Sequence, residues 1–222
     1  MNMIAKELIT ERLNPLRSND TVETAIDYLV TEGISELPIV ESKRVVNYGR
    51  LETLSAVLDK DQLLSEVIPL NPHTPVASEN QHLFEMIPIL AANELGIIAV
   101  VNREGLYSGI IEQKELNKLI GQSLTYRGQG AVIVIESDER DFSPATISRW
   151  VEENGAKIVG LMVTQTENRR FRVNLKLNTP YAKPIVQTLN RQGFRVEQVY
   201  MAEDNDERDG AEIDLALRFF DL

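Results

Sequence analysis

The chain has 222 residues, no cysteine and a net charge of −11, with 43% hydrophobic and 26% charged residues. This is the composition of a folded globular protein, and the lack of cysteine excludes disulfides, thiol nucleophiles, Fe–S clusters and cysteine-ligated zinc. The acidic balance disfavours binding to phosphate backbones, so no nucleic-acid partner is expected.

The opening MNMIAKELITERLNPL scatters its charges and has no apolar core, so no secretory signal is expected. No apolar run approaches the roughly 18 residues of a membrane span. The longest, over 89–101, is interrupted by Asn93 and Glu94. A cytoplasmic protein with no membrane partner is expected.

Charge is uneven along the chain. Residues 1–121 hold 10 basic and 18 acidic residues, and residues 122–222 hold 13 and 16. An anion bound by the first half needs a local cation.

In chain order, a pattern occurs twice. DTVETAIDYLVTEGISELPIVES (20–42) and NQHLFEMIPILAANELGIIAVVNREG (80–105) each read as a helix, a break and a compact apolar strand. A second strand and helix follow in each, over 44–58 and 105–120. Asp20 or Thr21 is placed to cap the first helix, with Glu23 in its first turn. Val22, Ala25, Ile26, Leu29 and Val30 fall at helical spacing, and Gly33 is placed to stop it. Pro38 suits a strand start. Pro88 predicts a late start or a kink in the second copy's helix. The simplest reading is a duplicated β-α-β-β-α unit of roughly 60 residues, about 1–66 and 67–121.

Residues 122–130, in the stretch GQSLTYRGQG, read as a linker. Over 131–222 the pattern changes. A buried strand at 131–137 leads to a helix at 141–155, with Ser143 as N-cap and Pro144 at its first position. Strands at 156–167 and 169–178 flank a turn at Asn168. Phe171, Val173, Leu175 and Leu177 alternate with Arg172, Asn174 and Lys176. A helix at 179–193 and a strand at 194–203 complete β-α-β-β-α-β, the ferredoxin-like order. The acidic loop 204–210 does not match a calcium-binding EF-hand, and the apolar tail with Phe219 and Phe220 suits packing against this chain or a partner. The overall fold class is α/β (α+β).

No catalytic motif stands out. His73 lies in a Pro-rich turn and His82 at a helix start, without metal-ligand spacing, so no metal site is expected. There is no Gly-x-Ser-x-Gly elbow and no P-loop, and Gly128-Gln129-Gly130 precedes a strand rather than following one. Trp150 reads as core or interface. No catalytic residue and no resident cofactor are assigned, and no enzyme activity is expected.

With the repeat established, residues 1–121 resemble a tandem pair of CBS domains, the Bateman module. The resemblance rests on MIAKELIT, TVETAIDYL, GISELPIVE, IIAVVNREG and YSGIIEQKEL. Residues 131–222 look ACT-like by strand order and by the loop before the first helix. The combination looks like small bacterial acetoin-utilization-like regulatory proteins. The resemblance implies a non-catalytic regulator sensing AMP, adenosine or S-adenosylmethionine, with adenosyl contacts at Leu37, Pro38, Arg50 and Thr53, and at Ile98, Ala99, Glu112 and Glu115. Both copies depart from the family's Gly-x-x-Thr-x-x-Asp pattern. Arg50 and Thr53 replace its Thr and Asp in one copy, Glu112 and Glu115 in the other. Arg50 suits a phosphate, whereas Glu112 beside Glu115 is expected to repel one. The ACT-like half implies an amino-acid effector loop at Asp141, Phe142, Ser143 and Pro144; a plain capped helix start is the competing reading. Two functions stand: a ligand sensor, or a ligand-free adaptor that dimerises and docks an unidentified partner. A homodimer is expected in either case.

Overall fold

The structure, a computed structural model, describes residues 3–201. The acidic loop 204–210 and the tail with Phe219 and Phe220 lie outside the described residues. The chain forms two compact units, Met1–Ile120 and Gly121–Leu222. Together they give a mixed α/β architecture.

The first unit contains the repeat. Its first copy runs β1 (Leu16–Arg17), α1 (Val22–Glu32), β2 (Glu36–Glu41), β3 (Arg44–Arg50) and α2 (Leu51–Ser55), followed by the short helix α3 (Leu64–Val67). Its second copy runs β4 (Val76–Ser78), α4 (Leu83–Asn93), β5 (Ile97–Val101), β6 (Tyr107–Glu112) and α5 (Gln113–Gly121). Each copy folds its own three-stranded sheet, ordered β1-β2-β3 and β4-β5-β6. In each, the first strand is parallel and the third antiparallel to the middle one.

Local chemistry explains the element ends. The Thr21 hydroxyl accepts from the Thr24 N–H at 3.2 Å, which fixes the start of α1. Gly33 closes the helix at φ 66°, a left-handed value that costs glycine little. In β2, Pro38 sits inside the strand rather than at its start. There β1 pairs only with Ile39 and Val40, so the missing N–H meets an open edge.

The helix over Pro88 does not start late. It begins at Leu83, with His82 Nδ1 accepting from the Phe84 N–H at 3.2 Å, and runs through Pro88. The carbonyl robbed of its partner belongs to Phe84, which is 75% exposed, so water can satisfy it.

The two copies trade pieces. The opening 3-10 turn, Ala5–Glu7, serves the second copy: the Ala5 and Lys6 N–H groups donate to Gln81 and Glu79, and the Leu83 N–H donates to Met3. Ala5 and Leu8 join the core of Leu83, Met86, Leu90, Ile98, Val100 and Leu116. The short helix α3, by contrast, closes the first copy that it follows. The Leu64 N–H donates to Asp20 and the Val22 N–H to Gln62, and Leu64 and Ile68 pack with Val22, Leu29, Leu37 and Leu54. The sheets also exchange side chains. Tyr48 of β3 lies in the second copy's core, and Ile97 and Ile110 lie in the first's. A half of this unit alone therefore has an incomplete core.

The second unit runs α6 (Leu124–Arg127), β7 (Val132–Ser137), α7 (Pro144–Glu153), β8 (Ile158–Gln165), β9 (Phe171–Leu177), α8 (Lys183–Arg191) and β10 (Arg195–Tyr200). Its antiparallel sheet has the order β10-β7-β9-β8. With its β-α-β-β-α-β chain order, this is the ferredoxin-like topology. Val173, Leu175 and Leu177 are fully buried with Ile133, Ile135, Ile147, Val151, Ile185 and Leu189. Trp150 packs edge-on against Phe194, with ring centroids 5.5 Å apart.

The stretch 122–130, read from the sequence as a linker, is partly helical. It carries α6, whose Thr125 hydroxyl donates to the Val159 carbonyl at 2.8 Å. Among the described residues, no helix is long and apolar enough to cross a membrane.

Candidate ligand sites

The two copies bring the candidate positions Arg50 and Thr53, and Glu112 and Glu115, to matching places in the first unit. Arg50 is the last residue of β3 and faces Glu36, the first residue of β2. Glu112 is the last residue of β6 and faces Ile97, the first residue of β5. Thr53 and Glu115 then stand in the helices that follow. The Leu51 N–H donates to Ser35, and the Gln113 N–H to Gly96, so both strand-to-helix junctions are held alike.

The two sites differ in their electrostatics. At the first, Glu36 is buried. Its Oε1 accepts from the Gly96 N–H at 2.6 Å and its Oε2 from the Ser35 hydroxyl at 2.5 Å. Gly96 belongs to the other copy, so Glu36 ties the copies together. Arg50 Nη2 donates to the Asn93 carbonyl at 2.9 Å, at the end of α4. Thr53 is exposed.

At the second site Glu112 is also buried, and its Oε2 lies 3.0 Å from Arg12 Nη2 and 2.6 Å from Lys114 Nζ. Arg12 also reaches Glu32 at 2.5 Å, where α1 ends. Glu115 is paired with Lys118 at 3.6 Å. The expected phosphate repulsion by Glu112 and Glu115 is thus offset, because each carboxylate has its own cation. Burial pushes the Glu112 carboxyl up, but hydrogen bonds from Lys114 and Arg12 outweigh it and hold it below its ordinary value.

That shift fixes a sign. A carboxylate with a depressed folded pKa stabilises the fold above its unfolded value, about 4.3, and loses that contribution as pH falls through the folded value. Glu112→Gln should melt below wild type at neutral pH, and the gap should narrow as the pH drops below about 4. Thermal melts from pH 3 to 7 check this. A gap independent of pH would refute the assignment.

The other adenosyl candidates lie deeper. Leu37, Ile98 and Ala99 have no exposed surface, and Pro38 is buried beside them. The Ala99 N–H is already bonded to the Tyr48 hydroxyl at 3.0 Å. In the second unit, the Ser143 hydroxyl accepts from the Thr146 N–H at 3.3 Å, and Pro144 opens α7. Phe142 packs edge-on against Phe171, with centroids 5.6 Å apart, while Asp141 is exposed. Ser143 and Phe142 are thereby engaged as cap and core.

Sequence reasoning did not single out Glu36, Arg12, Asn93 or Gly96. For Glu36 there was a signal: an acid opening an apolar strand, opposite an arginine. Arg12 lies 100 positions from Glu112, and no local pattern announces that pair. Among the described residues, no group of three or more His, Asp or Glu side chains is arranged to hold a metal ion.

No family model and no curated protein matches the chain. The solved structures similar to it include CBS-domain proteins. One is a CBS domain pair/ACT domain protein from Thermotoga maritima, at 14% identity over 53% of this chain and 96% of that one, with a TM-score of 0.48. A CBS-pair protein from Arabidopsis thaliana matches at 17% identity over 55% and 96%, TM-score 0.47. The cytosolic domain of the Mg2+ channel MgtE in complex with ATP matches at 20% identity, TM-score 0.46; the match spans 54% of this chain and about half (49%) of that domain.

Proposed function

We propose that the chain is a non-catalytic regulatory protein. Its first unit acts as a CBS pair that senses an adenosine-containing ligand, and its second acts as an ACT-like domain that responds to an amino acid. The observation that carries this reading is the paired placement of Arg50 and Glu112. Each ends the third strand of its copy, and each is followed by a helix presenting Thr53 or Glu115. Arg50 offers a guanidinium to a phosphate. Glu115, still partly exposed, offers a carboxylate to ribose hydroxyls. The protein acts as a homodimer in the cytoplasm.

Calorimetric titration with AMP, adenosine, S-adenosylmethionine and ATP tests it. Arg50→Ala should weaken AMP by about tenfold or more while sparing adenosine, because a charge-assisted hydrogen bond is lost. Glu115→Ala should weaken both. Light scattering on the same samples should give twice the 25.1 kDa chain mass. No binding of any of the four at millimolar concentration overturns the sensing reading.

A second reading, the ligand-free adaptor, has its own support. Arg50 is bonded to Asn93, and Glu112 to Arg12 and Lys114, so both motif positions have protein partners. It predicts a dimer with no ligand response.

A further inference from the structure

A sheet ends in edge strands whose outer N–H and C=O groups lack partners, and a long, uncharged edge invites another strand. The fold blunts its edges one by one, and among the described residues β8 is the exception. The edge strands β1 and β4 are two and three residues long. Along β3 the Val46 carbonyl accepts from the Asn71 N–H at 3.0 Å, and along β6 the Ile110 carbonyl accepts from the Thr10 N–H at 2.8 Å, so loops cover both. β10 carries Arg195 and Glu197, and its register slips between Val196 and Gln198. In β8 the register slip between Ile158 and Gly160 and the Thr125 bond to Val159 both lie at the start of the strand. From Ile158 to Thr166 there is no charged residue and no proline.

The hairpin turn fixes which backbone groups are free. The Thr166 N–H donates to the Arg170 carbonyl at 2.8 Å, and bonded pairs alternate along an antiparallel ladder. Thr164 and Met162 therefore turn their backbone groups to β9, and Gln165, Val163 and Leu161 turn theirs outward. The side chains point the same way. Leu161 and Val163 lie opposite Leu175 and Val173, in the row that packs with Ile147, Val151 and Leu189 of the helices. Leu175 and Val173 are fully buried, whereas Leu161 and Val163 are 39% and 38% exposed. The apolar row thus reaches the edge unfinished.

We propose that β8 pairs antiparallel with β8 of a second copy, joining two sheets into one; this rests on the homodimer reading and assigns its surface. The pairing is self-complementary. Only residues with outward backbone groups exchange bonds, so Leu161, Val163 and Gln165 of one copy meet the same set in the other. Each chain carries a net charge of −11, and this strand lets two copies meet with no like charges opposite each other. The chain's own segment 202–222 is the poorer occupant. It holds eight acidic and two basic residues, and β8 has no cation to receive them.

Light scattering on the full chain, with amide hydrogen exchange on the same samples, tests this. Wild type should give twice the 25.1 kDa chain mass, with slow exchange at Leu161 and Val163. Val163→Lys places a charge on the edge, and Val163→Pro removes an outward N–H, a loss that edge strands tolerate. Both should give the single-chain mass at tens of micromolar. Exchange at Leu161 should quicken by about tenfold or more while the β9 amides stay protected, which also reports folding. Either variant suffices if the other fails to fold. Phe84→Lys, which alters an exposed aromatic on α4, should leave the dimer intact. A monomeric wild type overturns the proposal together with the homodimer reading. Slow Leu161 and Val163 exchange in that monomer would assign β8 to the chain's own segment 202–222 instead. A dimer that survives both Val163 variants, or that Phe84→Lys dissociates as fully as they do, overturns the β8 surface and leaves the homodimer reading standing.

Discussion

Replacing Gly130 with alanine should unfold the second unit or destabilise it by an amount on the order of 4 kcal/mol or more, the range reserved for severe steric conflict. A Cβ at Gly130 would lie 1.9 Å from the Leu177 carbonyl oxygen and 2.9 Å from its carbon. Both are backbone atoms, and the backbone there has little room to retreat. Leu177 is paired with Ile158, its N–H donates to Ala131, and the Ala131 N–H donates to Thr179 at 2.8 Å. The Gly130 carbonyl is itself held by Lys176 Nζ at 2.5 Å. Moving β9 away would break the middle of the sheet, where Val173, Leu175 and Leu177 are fully buried. Gly121→Ala is the control, because no heavy atom lies within 4 Å of its Cβ position. At the end of α5 it should be neutral or stabilising by up to about 1 kcal/mol. Hydrogen exchange of the β9 amides separates the two outcomes, and protection in Gly130→Ala equal to wild type would refute the argument.

That contrast shows what kind of information a sequence carries. Three glycines in GQSLTYRGQG signal conformational freedom, and a linker is the natural reading. A glycine needed for close approach looks the same in sequence as one needed for flexibility, and only the neighbouring strand distinguishes them. The repeat was legible because its signals are local: the Thr21 cap, the Gly33 stop and the period of α1 lie within a dozen residues. The second unit's β-α-β-β-α-β order was legible for the same reason. The exchange between copies was not. MIAKELIT opens the chain beside the first copy, and nothing local says that it closes the second. Pro88 did not delay the start of α4, since the cost of a helical proline depends on whether the freed carbonyl reaches water. The candidate sites were half legible. Arg50, Glu112 and Glu115 follow from motif position, but Arg12, Glu36 and Asn93 reach them across the fold.

Tyr48 carries the last expectation, because it joins the two copies through a single oxygen. The residue is buried on β3, opposite Pro38, yet its side chain lies in the second copy's core. Its hydroxyl donates to the Pro75 carbonyl at 2.9 Å and accepts from the Ala99 N–H at 3.0 Å. Pro75 immediately precedes β4, and Ala99 lies at the middle of β5. Burial lifts the phenol to about 12, so it remains a neutral donor and acceptor throughout the working pH range. Tyr48→Phe keeps the ring and its packing but strips both partners. The Ala99 N–H is then left in a fully buried residue with no acceptor. An orphaned buried polar group costs about 1–3 kcal/mol; the Ala99 N–H is one, while the Pro75 carbonyl is only partly buried and within reach of water, so a loss of about 1–3 kcal/mol is expected. Tyr28→Phe makes the comparison fair. The Tyr28 hydroxyl also accepts a backbone bond, from Asn14 at 3.0 Å, but that site is exposed and water can replace it. Its cost should stay within about 0.5 kcal/mol. Urea titrations of both variants measure the difference. Equal losses would mean that the hydroxyl of Tyr48 adds nothing beyond its ring.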